Sequence, residues 1–110
     1  LVVPHVRLLD LAGPDQVFLE AIGYDARFEI VYCSIGDEVA SSALLPFGKL
    51  KHFSKMKLKP QDLLIVPGAE LSYLQSKHFK NNTNLFSWLN ACYANQINIC
   101  SIFFLFLKNR

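Results

Sequence analysis

The stretch Asp62-Leu63-Leu64-Ile65-Val66-Pro67-Gly68 decides the fold class of this 110-residue chain. Four consecutive apolar residues between an acidic residue and a Pro-Gly pair are typical of a strand that is buried on both faces. Apolar runs at residues 28–33 and 97–102 predict further strands, and residues 1–3 predict the end of another. Helical patterns separate these runs, so the sequence predicts an α/β fold with a parallel sheet.

Three helices are predicted between the strands. The first covers residues 11–22, with Pro14 in its first turn and Gly23 after its end. The second covers residues 69–74, and the third covers residues 83–93 with Thr83 as its N-cap. Residues 38–45 predict an extended arm of a hairpin. The inner faces are assigned to Leu11, Val17, Phe18, Ala21 and Ile22 in the first helix and to Leu85, Phe86, Trp88, Leu89 and Cys92 in the third.

Composition limits the classes of protein to which the chain can belong. A hydrophobic content of 52% in 110 residues fits one globular domain. The net charge is +2 with scattered basic residues, and the densest basic run, residues 49–59, predicts a solvated strand and loop rather than a nucleic-acid surface. No run reaches the roughly 18 apolar residues that span a bilayer, and no export signal is visible. These features predict a cytoplasmic protein with no membrane contact.

Cysteine and histidine spacing gives no metal site. Cys33, Cys92 and Cys100 are odd in number and lie in apolar surroundings, so all three are predicted to be buried thiols. The three histidines lie far apart and are predicted in loops or on the surface. No metal or cofactor is expected.

Asp10 is the residue most suggestive of chemistry, in the stretch Leu8-Leu9-Asp10-Leu11-Ala12-Gly13-Pro14. A carboxylate between apolar residues is costly to bury without a partner, so Asp10 is a candidate catalytic or binding group at the break between a strand and a helix. The alternative is an N-cap or turn aspartate. Both interpretations stay open from this stretch alone.

Further candidate binding residues lie at the carboxyl ends of the predicted strands, at the edge of the sheet where Asp10 is expected. Ligands of parallel sheets bind at the carboxyl ends of the strands, where Asp10, Pro67-Gly68-Ala69 and Ser101-Ile102 arrive. A Pro-Gly turn that enters a helix offers N–H groups to an oxyanion. The alternative is that Pro67-Gly68 only forms a tight connection between a strand and a helix and binds no ligand.

Four pieces of the chain together resemble the ThiJ/PfpI family, which has a class I glutamine-amidotransferase-like fold. They are Leu8 to Pro14 with Val17-Phe18, Val39-Ala40-Ser41-Ser42, Asp62 to Gly68, and Ile99-Cys100-Ser101-Ile102. Their order fits the family over nearly the whole chain. The match is closest to the amidase-like domain of AraC-type transcriptional regulators and to isocyanide hydratase.

The resemblance implies a doubly wound, mainly parallel, flavodoxin-like sheet, of which residues 1–110 form a partial domain, incomplete at both ends. It also implies a nucleophilic Cys in a strained turn after the last strand, followed by Thr and Gly. Phe103 stands at that position. Cys100 lies three residues too early, inside the predicted strand, so it is not expected to replace the nucleophile. Gene decay, a splice or frameshift event, or omitted residues would each produce this tail.

The resemblance also assigns roles to individual residues. Asp10 matches the acidic position that faces the nucleophile and acts as an acid/base or contacts the ligand. Ligand contacts are expected at Gly13, Ser42, Gly68, Ala69 and Ser101. Ala69 stands where hydrolytic members commonly carry a second Gly, and a positive φ there would strain an alanine. Glu70 is expected to cap the helix that follows.

Two functions and a third possibility follow from the resemblance. The first is a small-molecule-sensing domain of an AraC-type regulator, homodimeric, which binds DNA only through a downstream module. The second is an isocyanide hydratase or amidase whose nucleophilic Cys this chain lacks. The third is a decayed or truncated product without activity.

Overall fold

Two parallel strand pairs flank residues 1–3 in the computed structural model, which describes residues 1–102. Strand β1 (Cys33–Ser34) pairs with β4 (Lys51–His52), and β5 (Leu63–Val66) pairs with β6 (Asn98–Ser101). Between the pairs, Val2 bridges to Ser34 in parallel and the Leu1 nitrogen donates to the Ile65 carbonyl over 2.9 Å. This part of the chain is therefore mixed α/β, and the predicted strand at residues 63–66 is confirmed.

A small hairpin lies beside the parallel strands. Strand β2 (Val39–Ala40) pairs antiparallel with β3 (Pro46–Phe47), so a hairpin is present as predicted. The extended arm predicted at residues 38–45 is shorter than expected, because the turn of the hairpin begins at Ser41. The turn between them is held by Ser41, whose buried Oγ accepts hydrogen bonds from the N–H groups of Ala43 and Leu45 at 3.2 and 3.1 Å.

Four α-helices and one 3-10 helix complete the described residues. They are α1 (Leu8–Gly23), α2 (Leu71–Leu74), α3 (Lys77–Lys80), α4 (Thr83–Ala94) and the 3-10 turn Phe53–Lys55. Helix α4 begins at the predicted residue, but its N-cap is Asn82, whose side-chain oxygen accepts from Leu85 N–H. The second predicted helix is shorter than expected and begins at Leu71.

The main core lies between the strands and α4. Helix α4 buries Leu85, Leu89 and Cys92, which lie on one face because they are spaced four and three residues apart. Phe86 and Trp88 are half-buried and pack against this core. Its buried members are Leu1, Val3, Cys33, Phe53, Leu64, Val66, Ala69, Tyr73, Phe79, Leu85, Leu89, Cys92 and Ile97.

The opposite face of β5 and β6 is only partly covered. Leu64 and Val66 point into the main core, whereas Leu63 is 47% exposed and Ile65 is half-buried. The prediction that this strand is buried on both faces is therefore wrong within residues 1–102. Cys100 pairs with Ile65 and is exposed, so the prediction of a buried thiol is wrong for Cys100.

The strand predicted at residues 28–33 is reduced to Cys33–Ser34. Val2 N–H donates to the Cys33 carbonyl, whereas residues 28–31 make no backbone hydrogen bond to any other part of residues 1–102. Their β-branched and aromatic composition is typical of a strand, but strand formation also needs a partner.

Helix α1 begins three residues earlier than predicted. Pro14 consequently lies in the second turn, where it lacks the N–H that would donate to the Asp10 carbonyl. Leu11, Phe18, Ala21 and Ile22 lie on the half-buried side as predicted, but Val17 is 66% exposed. No residue of α1 is fully buried.

The remaining predictions concern the cysteines, the histidines, membrane-spanning helices and the apolar run after Ile102. Cys33 and Cys92 are buried, as predicted. His78 is exposed, while His5 and His52 are half-buried. None of the helices within residues 1–102 has the length and apolarity needed to cross a membrane. Phe103 and the apolar run after it lie outside the described residues.

Candidate functional site

Four chain segments meet where the parallel strands end, and backbone hydrogen bonds join them. Arg7 N–H donates to the Gly68 carbonyl over 2.8 Å, which ties the start of α1 to the turn after β5. Ser42 N–H donates to the Val6 carbonyl over 2.9 Å, which ties the hairpin to the same place. Ile102 N–H donates to the Val66 carbonyl over 3.1 Å, which adds the end of β6. We call this region the strand-end edge.

Asp10 lies in the first turn of α1, three residues after Arg7. Its side chain is half-buried, and the partial positive charge of a helix N-terminus favours a carboxylate there. Because α1 begins at Leu8, Asp10 is the third residue of the helix. It does not lie at the junction between strand and helix, where the sequence analysis placed it. The missing donor of Pro14 also leaves the Asp10 carbonyl without its regular helical partner.

Gly13 lies in the same helix but is exposed. A Cβ added to Gly13 would meet nothing within 4 Å in the described structure. Within residues 1–102 the space beside Gly13 is therefore open, and its contact with a ligand stays a prediction.

The turn Gly68-Ala69 is buried, and its two N–H groups make no hydrogen bond within residues 1–102. Ala69 forms an antiparallel bridge with Val6, framed by bonds from Arg7 N–H to the Gly68 carbonyl and from Glu70 N–H to the His5 carbonyl. In such a bridge the N–H of Ala69 points away from Val6. These groups are the donors that an oxyanion or a ligand carbonyl would use.

The backbone of Ala69 is not strained in the way the sequence suggested. Within residues 1–102, positive φ angles occur at His5, Asp25, Leu44, Lys49 and Gln96, and at no glycine. The concern that alanine at position 69 would be strained by a positive φ is therefore wrong. The turn reaches its shape with ordinary φ values, so alanine fits it without that strain.

His5, Glu70 and Tyr73 form a polar cluster beside this turn that sequence reasoning missed. The His5 Nδ1 atom lies 3.9 Å from Glu70 Oε2, and its ring centroid is 5.2 Å from that of Tyr73. Burial raises the pKa of the Tyr73 phenol. His5 adopts a φ of 60°, which is uncommon for a residue with a side chain. The signal that could have found it is Pro4-His5 directly after the first predicted strand.

Glu70 occupies the N-cap position of α2, as expected, but its side chain makes no capping hydrogen bond. Its carboxylate faces His5 instead. This pair is exposed by about two-fifths on both sides, so solvent screens their attraction.

The two serines of the hairpin differ in role. Ser41 is fully buried and holds the turn between β2 and β3. Ser42 is half-buried, and its backbone N–H bonds to Val6. Within residues 1–102 the Ser42 hydroxyl makes no hydrogen bond, and its contact with a ligand stays a prediction.

Ser101 ends β6 and pairs with Val66, one residue before Pro67. It is half-buried and lies beside the turn that carries Gly68. Cys100 precedes it within the strand, on the same side of the sheet as Ile65, so its thiol does not stand at the strand end. Within residues 1–102 no thiol follows β6.

The described residues contain no group of three or more His, Cys, Asp or Glu side chains placed to hold a metal ion. Comparison of the sequence with protein-family models, with curated proteins and with solved structures finds no match.

Proposed function

We propose that this chain is the ligand-sensing, amidase-like domain of an AraC-type transcriptional regulator. It binds a small molecule at the strand-end edge and performs no Cys-dependent turnover. The ligand carries an amide or a similar polar head, which accepts from N–H groups and donates to a carboxylate.

The observation that carries this proposal is the buried Gly68-Ala69 turn, whose N–H groups make no hydrogen bond within residues 1–102 and which is tied through Arg7 to the helix that bears Asp10. A carbonyl oxygen placed at the turn accepts from the N–H groups, because buried donors without partners are costly and favour an acceptor. The amide nitrogen of the same ligand then donates to Asp10, and a hydrogen bond to a charged acceptor is stronger than a neutral one.

The cysteines support binding rather than covalent catalysis. Cys33 and Cys92 are buried, and burial raises the pKa of the Cys92 thiol, which disfavours the thiolate. Cys100 is exposed but lies within β6, before the strand ends. A nucleophile must stand within reach of the reacting carbon, and within residues 1–102 no cysteine follows the end of β6, where the resemblance places the nucleophile.

Binding is tested by titrating the chain with benzamide as a probe and following the heat of binding. We expect Asp10→Asn to weaken binding about tenfold, which corresponds to the loss of one charged hydrogen bond. Asp37→Asn is the matched control, because it removes the same charge from an exposed loop and should leave binding unchanged. Equal affinities for the two variants would contradict the proposed role of Asp10.

Turnover is tested with cyclohexyl isocyanide and benzamide, with the products measured by mass spectrometry. We expect no hydrated or hydrolysed product from the chain or from Cys100→Ser. Turnover that Cys100→Ser abolishes would overturn the sensor proposal in favour of the enzyme of the same family.

The proposal also includes a homodimer in the cytoplasm that reaches DNA through a helix-turn-helix module encoded downstream. Sequencing the locus beyond Arg110 tests this part directly. A helix-turn-helix module supports regulation, and a restored Cys-Thr-Gly segment followed by a stop supports the enzyme. Sedimentation of the full-length product tests the homodimer.

A further inference from the structure

The outer half of helix α1 carries an apolar surface that no segment of residues 1–102 covers. At about 100° per residue, all exposed residues of the helix fall within one half of its circumference. They are Leu8, Leu9, Ala12, Gly13, Gln16, Val17, Leu19, Glu20 and Gly23. We call this surface the outer face of α1. We propose that the outer faces of two copies of this chain pack against each other, with the helices antiparallel, in a symmetric dimer.

The outer face has the composition of a buried surface. A helix face that meets water is normally charged or polar, whereas this one holds a single charged residue, Glu20. Leu9 is 81% exposed and Val17 is 66% exposed. Gln16, the other long polar side chain of this face, donates to Glu20 over 2.7 Å. Contiguous exposed apolar surface of this kind is typical of an interaction site.

Gly13 lies within this face and makes no close contact in the described residues. A glycine inside a helix lowers the stability of that helix relative to alanine. A Cβ added to Gly13 would meet nothing within 4 Å, and the φ angle of Gly13 is not positive. Nothing within residues 1–102 therefore requires a glycine at this position. The distance between two packed helices depends on the side chains at the contact, so Gly13 and Ala12 allow a second helix to approach closely.

The charges along α1 favour an antiparallel copy of the same helix. Arg7 directly precedes the helix and Glu20 lies in its last turns, at nearly equal distances from Gly13. Two copies that cross near Gly13 therefore bring Glu20 of one copy beside Arg7 of the other. The partial positive charge of the helix N-terminus attracts a carboxylate at the same place. The two-fold symmetry of the dimer forms this contact twice.

The apolar side chains of the outer face are also self-complementary. Leu8 and Leu19 lie along the same edge of this face, at nearly equal distances on either side of Gly13. In the antiparallel pair, Leu8 of each copy packs against Leu19 of the other. A second copy of the chain thus matches the face in both charge and shape. A membrane surface fits less well, because helices that lie on membranes carry Lys or Arg beside their apolar face and α1 has neither.

The contact is small, so we expect a weak dimer. Helix α1 has 16 residues and is therefore about 24 Å long. Stable interfaces bury about 800 Å² per partner, which is more than one face of such a helix provides. We expect a dissociation constant on the order of 10⁻⁵–10⁻⁴ M, so the chain is a monomer in dilute solution. The inference assigns a surface to the homodimer proposed above and does not depend on ligand binding.

Sedimentation equilibrium of the chain at about 10 to about 500 µM tests the association. We expect the average mass to rise from that of one chain toward that of two chains and no further. Leu8→Asp and Leu71→Asp are matched variants, because each leucine is the first residue of a helix and their exposures are 42% and 41%. We expect Leu8→Asp to weaken the dimer about tenfold or more and Leu71→Asp to leave it unchanged.

A pair of glycine variants distinguishes close helix packing from non-specific adsorption. An added Cβ meets nothing within 4 Å at either Gly13 or Gly23, so both leucine variants should keep the circular dichroism of the parent chain. Gly13→Leu adds apolar surface but holds the two helices apart, and we expect it to weaken the dimer about tenfold. Gly23→Leu lies at the far end of α1 and should leave the dimer unchanged.

Three results would overturn the proposal. A mass that stays at that of one chain at every concentration would show that the outer face of α1 binds no second copy. Equal association of Leu8→Asp and Leu71→Asp would keep the homodimer but place its surface elsewhere. Tighter association of Gly13→Leu than of the parent chain would show apolar adsorption without a close helix crossing. Benzamide titration of the same proteins tests the ligand site separately, so its failure is distinguishable from these three results.

Discussion

Helix α1 has 16 residues and α4 has 12, and the longer helix buries less of its surface. Helix α4 packs Leu85, Leu89 and Cys92 into the main core, whereas α1 has no fully buried residue and leaves Leu9 81% exposed. The difference in burial comes from the segments against which the two helices pack. Strand β5 and its neighbours cover the inner face of α4, whereas Leu11, Pro14 and Phe18 of α1 line an open groove of about 450 Å³.

This comparison shows that helix stability in an α/β fold depends on the strands that the helix can reach. Most helical stability comes from packing an apolar face rather than from intrinsic propensity. Helix α1 is attached by fewer contacts: the Asp15–Tyr32 hydrogen bond, the Phe18–Phe28 ring contact at 5.5 Å, and Leu11 against the small cluster of Val2 and Val6.

The largest expected difference between the two helices is in the cost of removing a leucine. Leu85→Ala should lower the free energy of unfolding by about 2–5 kcal/mol, because Leu85 is fully buried and leaves a cavity. Leu9→Ala should change it by less than ~0.5 kcal/mol, because Leu9 is exposed. Urea denaturation followed by circular dichroism measures both. Similar losses for the two variants would show that α1 packs as tightly as α4.

The hairpin beside α1 gives the next largest effect. Ser41→Ala removes the acceptor of two N–H groups and should cost about 1–3 kcal/mol, because two hydrogen bonds worth roughly 0.5–1.5 kcal/mol each are lost. Ser42→Ala keeps its backbone bond to Val6 and should leave stability nearly unchanged. The same urea experiment compares them, and a larger loss for Ser42→Ala would reverse the roles assigned to the two serines.

Helix capping also distinguishes α1 from α4, with a smaller expected effect on the free energy of unfolding. Asn82→Ala removes the cap of α4 and should cost about 1 kcal/mol. Arg7 stands at the same position of α1 with no side-chain capping bond, so Arg7→Ala should cost far less. Thermal unfolding of the two variants measures the difference. A larger loss for Arg7→Ala would mean that its side chain stabilises α1 through another contact.

The smallest expected effect concerns the contact that holds α1 to residues 28–32. The hydrogen bond to Asp15 raises the pKa of the Tyr32 phenol to about 12. Because the folded-state pKa is raised, this contact stabilises the fold fully below pH ~10, and the contribution is lost as the pH rises toward 12. Absorbance titration at alkaline pH should show the pKa of Tyr32 fall toward its ordinary value in Asp15→Asn and stay raised in Asp37→Asn. An unchanged titration in Asp15→Asn would contradict the contact.

The sequence predicted correctly those helices and strands that pack against other described residues. It failed where the formation of a strand or the burial of a side chain depends on a neighbouring segment. Strand β5 and the start of α4 lie where the apolar patterns predict them, because each element buries apolar side chains in the main core. The strand at residues 28–33 was overestimated because its composition says nothing about whether a neighbour pairs with it. The prediction of a buried thiol at Cys100 failed for the same reason, because an apolar pattern does not show whether another segment covers that face of β6, and within residues 1–102 Cys100 is exposed.

The strand-end edge was predictable in outline and not in detail. The rule that ligands bind at the carboxyl ends of parallel strands placed Asp10, Gly68 and Ser101 at one edge, and hydrogen bonds in the structure join the segments that carry them. The His5–Glu70 contact was not predictable, because it depends on the left-handed backbone of His5. Gly13 was assigned to the site by its motif, yet it lies on an exposed helix surface.

The measurement that tests the central claim most directly is a backbone amide NMR titration of the chain with benzamide. The claim predicts saturable shifts that are largest at the N–H groups of Gly68 and Ala69, with smaller shifts at Asp10 and Ser42, and no change in the benzamide itself over the experiment. Shifts confined to other parts of the chain, or release of benzoate, would contradict a non-catalytic ligand site at the strand-end edge.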